Sequence, residues 1–216
     1  MKVVLMGMPG VGKGTQATML REQLGVPHIS TGDILRESVR RGTNLGRRVQ
    51  GILEAGQLVP DDLMRELISE RLRQADARKG FVLDGFPRTS EQVGILDAVL
   101  SQLNISLDGV YLLTAPEEEI VRRLGGRRVC PKCSAVFHLE TRPPASPGVC
   151  DDCGSALVQR PDDTEGVIRD RLRVFAEQTL PIVEIYRRQN LLREIDATGL
   201  PAKVAERLQQ TLEGVS

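Results

Sequence analysis

The feature that most constrains this chain is a glycine-rich segment, GMPGVGKGT at residues 7–15, that lies between two regular elements. It follows the apolar run Val3–Met6, which is typical of a strand buried on both faces. It precedes residues 15–24, where apolar residues recur on one helical face. Glycines let backbone N–H groups wrap around a phosphate, a helix N-terminus adds positive potential, and Lys13 can reach the phosphate oxygens. The segment therefore predicts a phosphate-binding loop (P-loop).

The same order of strand and helix recurs along the chain. Apolar runs typical of buried strands lie at residues 81–83, 110–113 and 192–195, and a shorter candidate lies at residues 27–29. Helical patterns follow at residues 90–103, 116–124 and 201–212. Strands that alternate with helices predict a parallel sheet with helices on both faces. We therefore expect an α/β protein with a P-loop NTPase fold and a sheet of about five strands.

Two stretches interrupt this alternation. Residues 30–59 hold two polar, arginine-rich helical patterns with no strand between them. Residues 125–163 hold four cysteines and a cluster of prolines, with almost no helical periodicity. We predict that both are insertions carried by a core domain made of residues 1–29, 60–124 and 164–216.

Composition limits the classes of function. The 216 residues are 40% hydrophobic, as in an ordinary globular protein, and no apolar stretch approaches the ~20 residues of a membrane span. The apolar run at the N-terminus is too short for an export segment, so a cytoplasmic location is expected. Net charge is zero, and aromatic residues make up only 3%. These values argue against nucleic-acid or membrane binding, and we expect a monomer.

Arginine outnumbers lysine by 24 to 5. Most of this excess fits genome composition, which places arginine on solvated faces. Arginine is also the side chain that binds phosphate oxygens in pairs. The position of each arginine in the chain must therefore distinguish solvated arginines from phosphate-binding ones.

The four cysteines form the pattern CxxC-x16-CxxC at Cys130, Cys133, Cys150 and Cys153. Two such knuckles at this separation are typical of a zinc site, whereas disulfides are rare in a reducing compartment. Four thiolates complete a tetrahedral shell, so we predict one structural zinc ion in the second insertion. His138 lies nearby but is not needed as a ligand.

An acidic turn, Asp84-Gly85-Phe86-Pro87-Arg88, follows the strand at residues 81–83. Ligands of open α/β sheets bind at the carboxyl ends of the strands, so this turn should face the phosphates. Asp84 is placed to act on magnesium directly or through water. The other interpretation is that Asp84 caps a helix or forms the turn.

Three motifs in this order, GMPGVGKGTQ, STGDILRE and LDGFPRT, together with the four-cysteine insertion, closely resemble the adenylate kinases. The resemblance runs over nearly the whole chain. It implies reversible transfer of the terminal phosphoryl group of MgATP to AMP, in the service of nucleotide homeostasis, with ATP and AMP as the partners and Mg²⁺ and structural Zn²⁺ as the cofactors. One departure is Gly14 directly after Lys13, where the usual loop has Ser or Thr.

The resemblance also implies roles for individual residues. The catalytic group would be Lys13, Asp84, Arg88, Arg123, Arg127, Arg160 and Arg171. ATP would contact Gly10, Val11, Gly12, Lys13, Gly14, Thr15, Arg127, Val136, Phe137 and Gly199. AMP would contact Thr31, Arg36, Gln57, Leu58, Val59, Gly85, Phe86, Pro87, Arg88, Gln92, Arg160 and Arg171. Gln92 would read adenine, because a carboxamide pairs with a donor–acceptor edge. Arg122, Arg128 and Arg173 are interpreted as solvated.

Three other functions remain open on the sequence alone. A related kinase could use GTP as donor or a pyrimidine monophosphate as acceptor. A zinc-ribbon nucleic-acid binder would explain the cysteines, but it conflicts with the neutral charge and the few aromatics. A P-loop switch protein would explain the loop, but it would not need STGDILRE or the acceptor arginines.

Overall fold

The computed structural model describes residues 1–213, and its centre is a five-stranded parallel sheet in the order β2-β3-β1-β4-β7. The five strands are β1 (Lys2–Gly7), β2 (His28–Ser30), β3 (Phe81–Asp84), β4 (Gly109–Thr114) and β7 (Leu192–Asp196). The predicted α/β class and strand number are confirmed. The short candidate at residues 27–29 is a strand displaced by one residue.

Nine α-helices accompany the strands in the described chain. They are α1 (Lys13–Leu24), α2 (Thr31–Arg40), α3 (Asn44–Glu54), α4 (Asp61–Leu72), α5 (Ser90–Gln102), α6 (Glu117–Gly126), α7 (Glu165–Val174), α8 (Val183–Arg188) and α9 (Pro201–Glu213). A π-helical turn, Phe175–Thr179, and a 3₁₀ turn, Leu180–Ile182, join α7 to α8. Within residues 1–213 no helix is long and apolar enough to cross a membrane.

Both faces of the sheet are buried, as a parallel sheet requires. Val4 and Met6 of β1 point into a core formed with α2, α3, α4, α5 and α8. Val3 and Leu5 point to the opposite face, into a core formed with α1, α6, α7 and α9. Alternate residues of one strand therefore anchor the two helical layers, and the carboxyl end of the sheet stays open for a ligand.

After Ser30, the last residue of β2, residues 31–59 contribute α2 and α3 and no strand of the main sheet. Residues 127–138 form a separate antiparallel pair, β5 (Arg127–Val129) with β6 (Val136–His138). A small cluster formed by Cys130, Phe137 and Cys150 packs beneath this pair. We call residues 125–163 the lid segment.

Candidate functional site

The glycine-rich segment turns from the end of β1 into the start of α1. Gly12 caps α1 with φ 109°, and Gly10 has φ 83°. Both values lie in the left-handed region, which favours glycine. A Cβ at Gly10 would also stand 2.5 Å from the Leu124 side chain. The loop needs glycine at these positions, and its shape leaves the first amides of α1 free to bind an anion.

Lys13 lies across this loop. Its Nζ donates hydrogen bonds to the carbonyl oxygens of Gly7 at 2.8 Å and Met8 at 2.9 Å. Burial lowers the pKa of Lys13 from 10.5 to about 8, against the opposing effect of the Asp84 carboxylate. The ammonium group is therefore held at the loop by carbonyl groups that a phosphate could replace.

Asp84 ends β3 beside the loop. Its Oδ2 lies 3.7 Å from His28 Nε2 and would lie 3.8 Å from a Cβ placed at Gly14. The side chain that caps α5 is Thr89, whose hydroxyl accepts from the amide of Gln92, so Asp84 does not cap that helix. The Asp84 carboxylate is thus available at the phosphate loop.

The motif STGD divides its two hydroxyls between two tasks. Ser30 caps α2 by accepting a hydrogen bond from the Asp33 amide at 3.2 Å. Thr31 is buried, and its hydroxyl donates to the backbone oxygen of Asp84 at 3.3 Å. Ser30 is therefore the capping residue of α2, and Thr31 serves the start of the acidic turn.

Arginines at the carboxyl end of the sheet face carboxylates. Arg36 donates to Asp33 Oδ1 at 2.5 Å, and Arg160 lies 4.0 Å from the same oxygen. Burial raises the pKa of Asp33, but Arg36, Arg160 and the Ser30 hydrogen bond together lower it overall. Burial, followed by the charge of Arg36, lowers the pKa of Arg160. Close packing of guanidinium groups is therefore stabilised by an acidic partner.

A second acidic pair holds the arginines of the lid segment and of α7. Arg127 donates to both carboxylate oxygens of Asp163, and Arg171 lies 2.9 Å from Asp162 Oδ2. Burial lowers the pKa of Arg171. These contacts bring three segments together at one end of the site.

Arg88 is held by the backbone around it. Its Nε donates to the Gly85 carbonyl at 2.8 Å, and its own carbonyl accepts from Thr179 Oγ1 at 2.9 Å. Burial, followed by the charge of Arg171, lowers the pKa of Arg88. Since Thr179 lies in the π-helical turn, the irregular end of α7 supports the loop that carries Arg88.

Arg123 makes a different set of contacts. It donates to the backbone oxygens of Val11 and Ala197, both at 3.0 Å, and to Glu119 at 2.9 Å. It therefore ties the phosphate loop to the loop after β7. That second loop contains Gly199, which has φ 86° and offers only backbone atoms to a ligand.

A cleft opens beside α2 and α3. Predicted AMP contacts that line it are Thr31, Arg36, Gln57, Leu58, Val59, Gly85, Arg88, Gln92 and Arg171. Predicted contacts outside its lining are Phe86, Pro87 and Arg160. Lining residues that were not predicted are Gly32, Leu35, Leu53, Gly56, Met64 and Asp162. The cleft thus has apolar walls and a polar end, as expected of a site for a base joined to a phosphate.

Gln92 is 2% exposed and lines the cleft. Its Oε1 accepts from the Arg88 amide at 2.8 Å, and its Nε2 donates to Asp61 Oδ1 at 2.7 Å. Asp61 was not predicted as part of the site. A signal was present, since an acid in the first turn of a helix often serves a nearby donor.

The four cysteines of the lid segment converge. All four sulfur atoms lie within 4.8 Å of one another, and all four thiols are free. Cys130 Sγ lies 3.4 Å from Cys153 Sγ, and Cys133 Sγ lies 3.5 Å from Cys150 Sγ. Four sulfurs about 2.3 Å from a zinc ion would stand roughly 3.8 Å apart. The donor set and its spacing fit a tetrahedral metal ion.

The strand β6 carries the two residues expected at the ATP base. Val136 is 39% exposed, whereas Phe137 is 2% exposed and packs against Cys130 and Cys150. The guanidinium of Arg142 lies 5.4 Å from the centre of the Phe137 ring. Because the Phe137 side chain is buried in the lid core, only the backbone of Phe137 could contact a ligand.

The first insertion touches the first cysteine knuckle. Arg40, at the end of α2, donates to the carbonyl oxygens of Pro131 at 3.0 Å and Lys132 at 2.9 Å. A second amine of Arg40 pairs with Glu37. The two insertions are therefore in direct contact.

Comparisons with known proteins agree with these features. The sequence profile of the family described as adenylate kinase matches residues 5–191. An adenylate kinase of Methanocella arvoryzae is 52% identical over 196 residues, which cover 91% of each chain. One of Moorella thermoacetica is 50% identical and covers 94% of each chain. One of Kosmotoga olearia is 46% identical over the full length of both chains.

Proposed function

The chain belongs to the adenylate kinase family of phosphotransferases, and we propose that it catalyses MgATP + AMP ⇌ 2 ADP by the residues described above. The observation that carries the proposal is the position of Arg88. Arg88 lines the cleft beside α2 and α3, and its positive charge is one of the causes that lower the pKa of Lys13 in the phosphate loop. Arg88, which would bind the phosphate of AMP, and Lys13, which would bind the phosphates of ATP, are therefore neighbours.

The acceptor nucleotide would occupy the cleft. Its base would lie among the apolar walls near Gln57–Val59 and Gln92, and its phosphate would contact Arg36 and Arg88. Guanidinium groups bind phosphate oxygens in pairs, so two of them would hold the acceptor oxygen in line with the donor. Thr31, whose hydroxyl already lies at the cleft, would complete the polar end.

The donor nucleotide would bind the loop of residues 10–15, with Lys13 on its terminal phosphates. Its base would contact the loop near Gly199 on one side, and the backbone of Val136 and Phe137 on the other. Magnesium would be held through Asp84 and the phosphates, and when bound it would neutralise phosphate charge. Gly14 stands at the position where the usual loop has Ser or Thr. The next hydroxyl along the loop is that of Thr15.

Phosphoryl transfer requires positioning and charge neutralisation more than covalent assistance. A phosphate monoester with a second pKa near ~6 is already a dianion at neutral pH, so no general base is needed. Arg123, Arg127, Arg160 and Arg171 would offset the charge on the transferred group. Water would compete as an acceptor, and closure of the lid segment would exclude it.

We propose the same division of the chain as above, with residues 1–29, 60–124 and 164–216 as the core, residues 30–59 as the AMP-binding insertion and residues 125–163 as the lid. The four thiols would bind one structural zinc ion. Free thiols fit a reducing compartment, which supports a cytoplasmic location.

A coupled assay of ATP, GTP and CTP against AMP, GMP, CMP and UMP tests the proposal. We expect the highest kcat/KM for ATP with AMP. Higher values for UMP or CMP than for AMP would contradict it. Comparing the donors shows whether the enzyme prefers ATP to GTP. This preference has to be measured because Gly199 has no side chain that could distinguish the donor bases.

A further inference from the structure

The carboxamide of Gln92 is held in one orientation. A carboxamide has an acceptor end and a donor end, and a half-turn about its last bond exchanges them. Here the Arg88 amide donates to Oε1 at 2.8 Å, while the Asp61 carboxylate accepts from Nε2 at 2.7 Å. A half-turn would set Nε2 against the N–H of Arg88 and Oε1 against a carboxylate. Both contacts would then be repulsive, and Gln92 is too buried for water to replace them.

This orientation determines which base edge Gln92 can pair with. Adenine offers a donor at its exocyclic nitrogen and an acceptor at ring nitrogen 1. Hypoxanthine and guanine offer an acceptor and a donor at the same two places. A glutamine that turns freely serves either edge, whereas one held from both ends serves only one. Fixing the carboxamide therefore creates specificity that the glutamine alone lacks.

We propose that Asp61 is a specificity-determining residue, which positions Gln92 so that the cleft accepts an adenine and rejects a 6-oxopurine. The inference rests on the proposed function, in which Gln92 reads the acceptor base. Asp61 supplies the charged half of the restraint, because a hydrogen bond to a carboxylate is stronger than one between neutral groups. It lies in the first turn of α4, one turn before Met64 of the cleft wall.

A simpler role for the same contact is mechanical, since it fastens the start of α4 to the start of α5. The two roles differ in what they predict. Loss of a mechanical tie would weaken every acceptor equally. Loss of the orientation restraint would weaken the adenine nucleotide relative to the 6-oxopurine nucleotide.

The test compares AMP with IMP, which has nearly the same size and the opposite edge. With MgATP as donor, we expect Asp61→Asn to lower the ratio of kcat/KM for AMP to that for IMP by about tenfold or more, as for loss of one charge-assisted bond. Asparagine has nearly the same shape as aspartate, and its amide can form a hydrogen bond with the Gln92 carboxamide in either orientation. Asp62→Asn is the matched control, because Asp62 is the exposed neighbour and its carboxylate accepts no hydrogen bond within residues 1–213. It should leave the ratio unchanged.

Calorimetric Kd values for AMP and IMP give a second readout that does not depend on turnover. An equal loss for both nucleotides in Asp61→Asn, with the wild-type ratio retained, would overturn the inference. Gln92→Leu separates this failure from a failure of the proposed function. If Gln92→Leu reduces the ratio and Asp61→Asn does not, only the role of Asp61 is wrong. If neither changes the ratio, Gln92 does not read the base, and both proposals about it fail.

Discussion

The guanidinium of Arg127 donates two hydrogen bonds to the carboxylate of Asp163, at 2.7 and 2.5 Å, and the Asp163 side chain is 0% exposed. The same carboxylate lies 3.4 Å from Arg171. One buried acid thus holds an arginine of the lid segment and an arginine of α7 at the same place. A bidentate pair of this kind fixes orientation as well as distance.

Asp163→Ala should lower the free energy of unfolding by about 3 kcal/mol, because it leaves the largely buried guanidinium of Arg127 without its counter-charge. Urea denaturation measures this change. Asp170→Ala is the control, since Asp170 pairs with Arg173 on an exposed face. The control should change the free energy of unfolding by less than about 0.5 kcal/mol. Equal shifts in the two variants would contradict the assigned role of Asp163.

Lys13→Ala and Arg88→Ala should each reduce kcat/KM by at least ~10²-fold, the usual effect of removing one preorganised charge from a reacting phosphate. Arg173→Ala should change little, because the Arg173 side chain is 61% exposed and pairs only with acids on its own helical segment. Steady-state assays of purified variants with matched melting temperatures give the comparison. Similar losses for Arg88 and Arg173 would show that our sorting of the arginines is wrong.

The lowered pKa of Lys13 predicts a pH dependence of donor binding. In the free enzyme Lys13 loses its proton as pH rises through about 8. Since kcat/KM reports groups of the free enzyme, kcat/KM for MgATP should fall above that pH. The value of kcat should stay constant to higher pH, because bound phosphates raise the pKa of Lys13. A flat kcat/KM profile from pH 7 to 10 would be inconsistent with a functional Lys13 of this pKa.

The same shift affects folding stability, and its sign is fixed by the two pKa values. The pKa is 10.5 in the unfolded chain and about 8 in the fold, so between these values the unfolded chain binds the additional proton. Stability due to Lys13 therefore rises as pH increases across this window. Lys13→Met should abolish that part of the rise, which urea denaturation at several pH values would detect.

Cys130→Ser with Cys133→Ser should lower the melting temperature and speed amide exchange in residues 125–163. A four-thiolate zinc site supplies on the order of 10 kcal/mol to a small fold, and the lid core is small. Activity at low temperature should persist, because Lys13 and Arg88 are untouched. Metal analysis of the wild type should find about one zinc per chain. A folded double variant with no activity would instead indicate a catalytic metal.

The strands and the phosphate loop were predictable because they depend on local pattern. An apolar run such as Val3–Met6 identifies a strand buried on both faces, and glycines followed by Lys13 identify the loop. Predicted ends were off by one or two residues, as at β4, where Gly109 and Thr114 extend the strand. Helix α4 was not predicted, although Asp61 and Asp62 directly after Pro60 are a typical helix start.

The acidic partners of the arginines were not predictable in the same way. Arg127 and Asp163 are 36 residues apart, and Arg40 contacts a knuckle about 90 residues further along. Such pairs follow from how the insertions fold over the sheet, which no local pattern encodes. A partial signal existed, since Asp162 and Asp163 come two and three residues after Arg160. The contacts of Arg123 with Val11 and Ala197 likewise depend on tertiary structure.

If Arg36, Arg127 and Arg171 bind nucleotide phosphates as we propose, the carboxylates beside them would make that binding an anion exchange. Each guanidinium already has a counterion supplied by the protein, so an arriving phosphate would displace a carboxylate instead of meeting an unpaired charge. The phosphate would gain only the difference between the two anions, which would moderate its affinity. On departure of the phosphate the carboxylate would pair with the arginine again and compete against rebinding. A reversible enzyme must release nucleotides from both sites in either direction, and resident counterions favour that release.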